Sequence, residues 1–351
     1  MCKNRINKDN RCVCRAHQFR EGRSANSRSA TFERTAKAIL REKLSSVPEI
    51  SGWTLGDCAI LNEKGRTSVY RVYDKEGREH WLYYGPWNKW QLVSDLWTHL
   101  DGINRIMVNV SPLFRAFGPM LPEVKWLKSS DGFFGVVERR SDMPLLKYLS
   151  DQNNPFRFET IVQMTGFLRF LQTGNNVFSN SGSYKIIDEL EDRTIRLIDE
   201  VEERIPQRQR FSRLNSFTIQ NAKALAYAGS LSLSLGTYAA SCFAYTKRAA
   251  LLIDYPFLLG EDMTHMDLCR ILFEMRTRDH QDLKCLIDVY FDREVPSYFF
   301  AQLAYYQVSV ILEHLALSTP DSPYERRVLE EFDRLSLEYD NFRTPVPYWY
   351  K

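Results

Sequence analysis

The hydrophobic period changes along the chain. Residues 31–45 (ATFERTAKAILREKL) set Ile39 and Leu40 ahead of Leu44, which predicts a short amphipathic helix. Residues 57–85 then alternate, most clearly in Ser68-Val69-Tyr70-Arg71-Val72-Tyr73, and predict three strands with turns at Lys64-Gly65 and Glu76-Gly77. Leu92, Leu96 and Leu100 recur at every fourth position and predict a helix over 89–100. Two more strands follow, 124–127 and 133–138, about the turn Ser130-Asp131-Gly132. Beyond Pro144 the period becomes helical. Ile161, Met164, Phe167, Leu168 and Leu171 share one face, as do Ile187, Leu190, Leu197, Ile198 and Val201. Further helices are predicted over 264–276, 280–291, 297–318 and 322–337. One β-rich interruption lies at 230–255, where Ala249-Ala250-Leu251-Leu252-Ile253 reads as a buried strand ending in Asp254.

This order predicts an α+β chain with no internal repeat. Residues 1–30 form an arm, and 31–140 a small lobe with a leading helix and about five antiparallel strands. Residues 141–351 form a larger, mainly helical lobe.

Composition narrows the class. With 351 residues, 44% apolar and 26% charged, the chain is neither wholly disordered nor a small disulfide scaffold. No run approaches the length of apolar sequence that spans a bilayer, and the first residues lack the apolar core of a secretory signal. The net charge of +3 is uneven: residues 1–30 hold eight basic and two acidic side chains, so the remainder is negative by three. That remainder does not read as a nucleic-acid binder. The arm is expected to be solvated and disordered, with weak contact to an anionic surface as its other use. Its Arg and Ser content also fits an organelle transit peptide. The cysteines, Cys2, Cys12, Cys14, Cys58, Cys242, Cys269 and Cys285, are irregularly spaced and read as reduced thiols of a cytoplasmic protein. Cys2, Cys12, Cys14 and His17 match no zinc-ligand spacing.

The layout resembles the protein-kinase-like fold of aminoglycoside phosphotransferases, choline kinases and related sugar or lipopolysaccharide kinases, over about residues 55–320. Lys64-Gly65-Arg66-Thr67-Ser68-Val69-Tyr70-Arg71-Val72 resembles the nucleotide-covering turn and second strand, and His80-Trp81-Leu82-Tyr83-Tyr84 the third strand. Val136-Val137-Glu138-Arg139, followed by Met143-Pro144-Leu145-Leu146-Lys147-Tyr148-Leu149, resembles the hinge and the helix after it. Leu235-Gly236-Thr237-Tyr238-Ala239-Ala240-Ser241-Cys242 matches the position of the family's His-Gly-Asp-x-x-x-x-Asn loop. Leu252-Ile253-Asp254-Tyr255 matches its metal-binding strand end. Glu261-Asp262-Met263-Thr264-His265-Met266-Asp267-Leu268 resembles the segment ending in Asp-Leu that opens the next helix. The resemblance implies a bilobal kinase-like fold, with ATP and magnesium as the family's ligands.

It also implies a chemistry that these residues meet poorly. Phosphoryl transfer asks a protein mainly for positioning and charge neutralisation. Tyr83 stands where the third-strand lysine belongs, and a phenol supplies no positive charge. Thr237 stands at the general-base position, and a hydroxyl is no base near neutral pH. Cys242 replaces the magnesium-binding Asn with a soft ligand, and Leu235 replaces the loop His. Asp254 remains as a metal ligand. Gly65, Thr67 and Ser68 are the candidate phosphate-wrapping residues, and Glu138 and Arg139 the hinge residues beside a base. The expected function is therefore non-catalytic: a kinase-fold protein that binds a protein partner or a small-molecule ligand, with ATP and magnesium residual or absent. An active phosphotransferase with relocated groups, such as Asp262 with Lys64 or Arg66, is the alternative. A helical interaction protein with accidental likeness is the third reading. Outside this set, Trp87 and Trp90 flank a loop and offer a partner surface if exposed. The aromatic tail Pro345–Lys351 is expected to pack back on the helical lobe.

Overall fold

The computed structural model describes residues 37–61, 68–110, 115, 121–139, 143–144, 156–173, 183–205, 208–228, 231–236, 242–245, 251–253, 260–276 and 279–351. The chain divides into two compact units, Met1–Thr160 with Ser241–Leu258, and Ile161–Ala240 with Leu259–Lys351.

The first unit is built on one antiparallel sheet. Its strands are β1 (Thr54–Leu61), β2 (Ser68–Tyr73), β3 (Glu79–Pro86), β4 (Val124–Lys128) and β5 (Gly132–Glu138), in the order β1-β2-β3-β5-β4. Helix α1 (37–45) precedes the sheet, and α2 (Trp90–Val110) lies between β3 and β4. The strand–strand–strand–helix–strand–strand order is the one the alternation predicts. The helix runs ten residues further than Leu92, Leu96 and Leu100 mark.

Alternation divides the sheet into two apolar faces. Tyr70, Val72, Leu82, Leu127, Phe134 and Val136 pack under Leu40, Leu44, Val47 and Ile50 of the leading segment. Full burial of a side chain of this size is worth about 1.5–3 kcal/mol. Lys43 fixes the seam, donating to the Tyr84 hydroxyl at 2.8 Å and pairing with Asp131. The opposite face carries Trp81, Tyr83 and Phe133, with Trp126 in register beside Gly135. Trp90 of α2 meets Phe133 at 4.9 Å and Trp126 at 5.4 Å, both edge-on.

The turns follow their residues. Asp74 closes the β2–β3 hairpin: its carbonyl accepts from Gly77 N, and its carboxylate accepts from Glu76 N and Arg78 N. Gly77 takes the left-handed φ of 77° that this turn requires. A second small sheet in this unit joins β6 (Met143–Pro144), β8 (Phe243–Tyr245) and β9 (Leu251–Ile253), with β8 in the middle.

The second unit is helical. It contains α3 (Arg157–Thr173) from Ile161 onward, α4 (Ser183–Val201), α5 (Arg208–Ala228), α6 (Met266–Met275), α7 (His280–Tyr290), α8 (Ser297–Leu317) and α9 (Pro323–Glu338). A two-stranded ribbon pairs β7 (Leu231–Ser234) with β10 (Gly260–Met263). Helix α8 is apolar nearly all round, as befits a central helix, and packs on α4, α5, α6 and α9. Its Ala304, Val308, Ile311, Leu312 and Leu315 meet Leu214 and Phe217 of α5 and Val328, Phe332 and Leu335 of α9 in one core. Ser322 caps α9 by accepting from Glu325 N, while Glu325 accepts from Asp321 N. The tail packs back on this unit: the Tyr350 hydroxyl donates to Asp288 at 2.7 Å, and the Trp349 ring stacks on His280.

Candidate functional site

The loop that resembles the catalytic segment leaves β7 at Ser234. β7 is held to β10 in antiparallel register, Asp262 opposite Ser232 and Met263 opposite Leu231. The chain then turns through Thr264 and His265 into α6, placing Asp267 in that helix's first turn. Asp267 is completely buried. Its Oδ2 accepts the backbone N–H of Leu235 at 2.7 Å, and its Oδ1 accepts from the Ser234 hydroxyl at 2.7 Å. The same Ser234 oxygen accepts from Gly236 N at 2.9 Å. Gly236 has φ 73°, a left-handed turn suited to glycine. The start of the loop is thus pinned by one carboxylate. Leu235, where the resemblance has a histidine, is a buried side chain.

Arg270 balances the charge. It donates to Asp267 Oδ1 at 2.9 Å and to Ser234 Oγ at 3.1 Å, and it pairs with Asp262. Burial pushes the Asp267 carboxyl upward, and the Arg270 guanidinium beside it pulls it down. With both oxygens accepting hydrogen bonds, the arrangement serves the ionised form. Asp262 pairs with Arg270 and accepts from Met263 N.

His265 sits at φ 71° ahead of α6, with its ring buried. Tyr290 donates its proton to Gln172 Oε1 at 2.9 Å, so its oxygen accepts from His265 Nδ1 at 2.8 Å. Nε2 is then the acceptor for the Tyr298 hydroxyl at 3.2 Å. Burial pulls the imidazole down to about 4, so it is neutral near pH 7. Its role is to fix the β10–α6 turn.

The first unit holds the residues that resemble the nucleotide-binding strands. Ser68 opens β2, opposite Leu61. Tyr83 lies on β3 between Val69 of β2 and Gly135 of β5, is 4% exposed, and meets Phe133 at 5.8 Å. Burial raises the phenol further, so it carries no charge at neutral pH. Arg139 N donates to Glu79 O at 3.0 Å, and the Arg139 side chain pairs with the Glu79 carboxylate, which also takes Arg71. Glu138 lies opposite His80. Cys242 is a buried thiol outside any disulfide. Its neighbour Phe243 pairs with Ile253 across β8 and β9. Gly65, Thr67, Thr237 and Asp254 themselves lie outside the described residues, as does the arm 1–30. Trp87 of the proposed partner pair is 39% exposed, and Trp90 is half-buried.

Two of the described residues do not suit a nucleotide with magnesium. The third strand offers a neutral phenol where phosphate oxygens would need a cation, and the loop's end offers a buried thiol where magnesium needs hard oxygen. Among the described residues there is no cluster of three side chains able to hold a metal ion. None of the described helices is long and apolar enough to cross a membrane. Two features escape the sequence altogether, the Arg270 bridge and the pairing of Arg71 and Arg139 on Glu79. Both join residues far apart in the chain or not marked by any motif.

No family model matches the chain, and no curated protein matches it. Solved structures do. An aminoglycoside phosphotransferase from Alicyclobacillus acidocaldarius superposes with a TM-score of 0.51 at 12% identity, over 81% of this chain and 90% of that one. A choline/ethanolamine kinase family protein from Mesorhizobium loti gives 0.45 at 16% identity, over 87% and 97%. The choline kinase of Streptococcus pneumoniae gives 0.45 at 11%, over 86% and 98%. The fold argument rests on the first. Together with the five-stranded sheet and the helical unit, it establishes that the chain has the α+β, bilobal protein-kinase-like fold of the aminoglycoside phosphotransferase and choline kinase type.

Proposed function

We propose that the protein is a non-catalytic member of this fold, a pseudokinase that binds a small-molecule ligand or a protein partner without moving a phosphoryl group. One observation carries the reading: Tyr83, at the position the resemblance gives to the phosphate-binding lysine, is a buried neutral phenol flanked by Val69, Gly135 and Phe133. The identities of Thr237 and Cys242 support it, because a hydroxyl and a thiol stand where base and metal ligand are expected. Removing a single charge-stabilising group commonly costs about a hundredfold or more in rate. The scaffold beneath the loop is kept, since Asp267 still anchors Leu235. A cytoplasmic location goes with this reading.

The test is a mass-spectrometric turnover assay with ATP and magnesium against an aminoglycoside, choline and simple sugars. No phosphorylated product is expected. Transfer that disappears in Asp254→Ala would overturn the proposal and favour an active phosphotransferase with atypical residues.

A further inference from the structure

We infer that Trp81 closes the third strand to a stacked purine, its indole held down by a clasp of Arg71, Glu79 and Arg139. This rests on the proposed function and extends it from phosphoryl transfer to the nucleotide base.

β3 is the central strand of the sheet, with β2 and β5 on its two sides. Trp81 lies directly opposite Arg71 on β2 and Val137 on β5, so these three share a face and a row. Tyr83, two residues on, points to the same face. A planar ligand resting on this part of the sheet would have to take the space the indole fills. The indole is held in that space. Arg71 and Arg139 reach in from the two flanking strands, their guanidinium carbons 5.7 and 5.4 Å from the indole centroid. One oxygen of Glu79 pairs with both, with Arg71 Nε at 2.7 Å and Arg139 Nη1 at 2.8 Å. The clasp faces solvent, its three side chains 22%, 25% and 26% exposed, while Trp81 beneath is 1% exposed.

The backbone points the same way. Arg139, at the end of the segment that resembles a hinge, spends its N–H on Glu79 O at 3.0 Å. That donor belongs to the sheet and is not presented to a ligand. The two guanidinium groups share one carboxylate, so the clasp opens when that carboxylate is neutralised.

Adenosine is the probe, because it carries the base without phosphates and so reports on Trp81 independently of Tyr83 and Asp254. Calorimetric titration of the full chain with adenosine, and with ATP and magnesium, is compared with that of Trp81→Ala and Glu79→Gln. The wild type is expected to show no saturable binding up to about 5 mM, and the variants to bind adenosine at least about tenfold more tightly. Saturable adenosine binding by the wild type overturns the inference. So does a variant with a cooperative melt that binds no better than wild type. If Trp81→Ala does not fold, Glu79→Gln and the double variant Arg71→Ser/Arg139→Ser carry the same comparison. Wild-type binding without turnover sinks the clasp and leaves the proposed function standing, whereas turnover sinks the proposed function itself.

Discussion

Asp267 and Leu235 are 32 positions apart in the chain, yet a fully buried carboxylate of one holds the backbone N–H of the other at 2.7 Å. The start of the loop is therefore pinned from α6, through the Leu235 backbone and the Ser234 hydroxyl. Asp267→Ala would leave Arg270 buried with half its counter-charge and Leu235 N without an acceptor. We expect a loss of about 3 kcal/mol in chemical denaturation, with Asp267→Asn less damaging because it keeps an acceptor oxygen.

Two imidazoles, His265 buried and His314 half-buried, give stability a definite pH dependence. Burial pulls His265 down to about 4, and burial with nearby Arg276 does the same for His314. Unfolding frees both to bind protons near their ordinary value of about 6.5. Between these limits the unfolded chain binds more protons, so stability is full above about pH 6.5 and falls as pH drops toward 4. Each imidazole contributes a slope of at most about 1.4 kcal/mol per pH unit. Denaturation midpoints between pH 7 and 4.5 should shift less in His265→Phe than in wild type. Equal shifts would show that His265 is not the group responsible.

Asp74 acts in a lower window. Burial raises its carboxyl, but hydrogen bonds from the Arg78 backbone, His80 and the Arg78 side chain overcome this and hold it well below the usual carboxylate range. Its contribution is present above about pH 4 and is lost as pH falls further. Asp74→Asn should flatten the acid limb of a melting-temperature profile below pH 4 and leave the pH 5–7 region unchanged in slope.

Restoring a lysine at Tyr83 should not restore activity. The site is 4% exposed and lined by Val69, Gly135 and Phe133, so an ammonium there has lost water and gained no partner from those neighbours. Tyr83→Lys should cost on the order of 2 kcal/mol or more and yield no phosphorylated product. A stable, active variant would show that a lysine at this one position is enough for transfer.

Gly132 makes a purely steric case. A Cβ built there would lie 2.4 Å from the backbone oxygen of Gly85 and 2.9 Å from the Tyr84 ring. Backbone cannot swing aside as a side chain can, so Gly132→Ala should cost about 1–3 kcal/mol. Gly77→Ala, by contrast, has open space around it and should be penalised only through its φ of 77°.

The small unit was legible because its strands alternate cleanly and its turns carry Gly77 and Gly132. Helix α5 was not. It opens with Arg208, Arg210 and Arg213, and its inner face includes Thr218 and Asn221 among Leu214, Phe217 and Leu225. Those two polar side chains are buried because they bond back to their own helix, Thr218 to Leu214 O and Asn221 to Phe217 O, both at 2.8 Å. The apolar stripe is diluted by residues that behave as core, and a hydropathy period alone passes over it. At the site, Tyr83 and Cys242 are singled out by the resemblance to a kinase-like pattern. The clasp on Trp81 does not, because Arg71 and Arg139 are brought together only by strand order, which crosses from β3 to β5 past the whole of α2 and β4.

The leading segment has a practical consequence. Leu40, Leu44, Val47 and Ile50 all precede β1, yet they shield six side chains of the sheet. A recombinant fragment begun at Thr54 to spare the basic arm would bare Tyr70, Val72, Leu82, Leu127, Phe134 and Val136 to water and should precipitate, whereas one begun ahead of residue 37 should remain in solution.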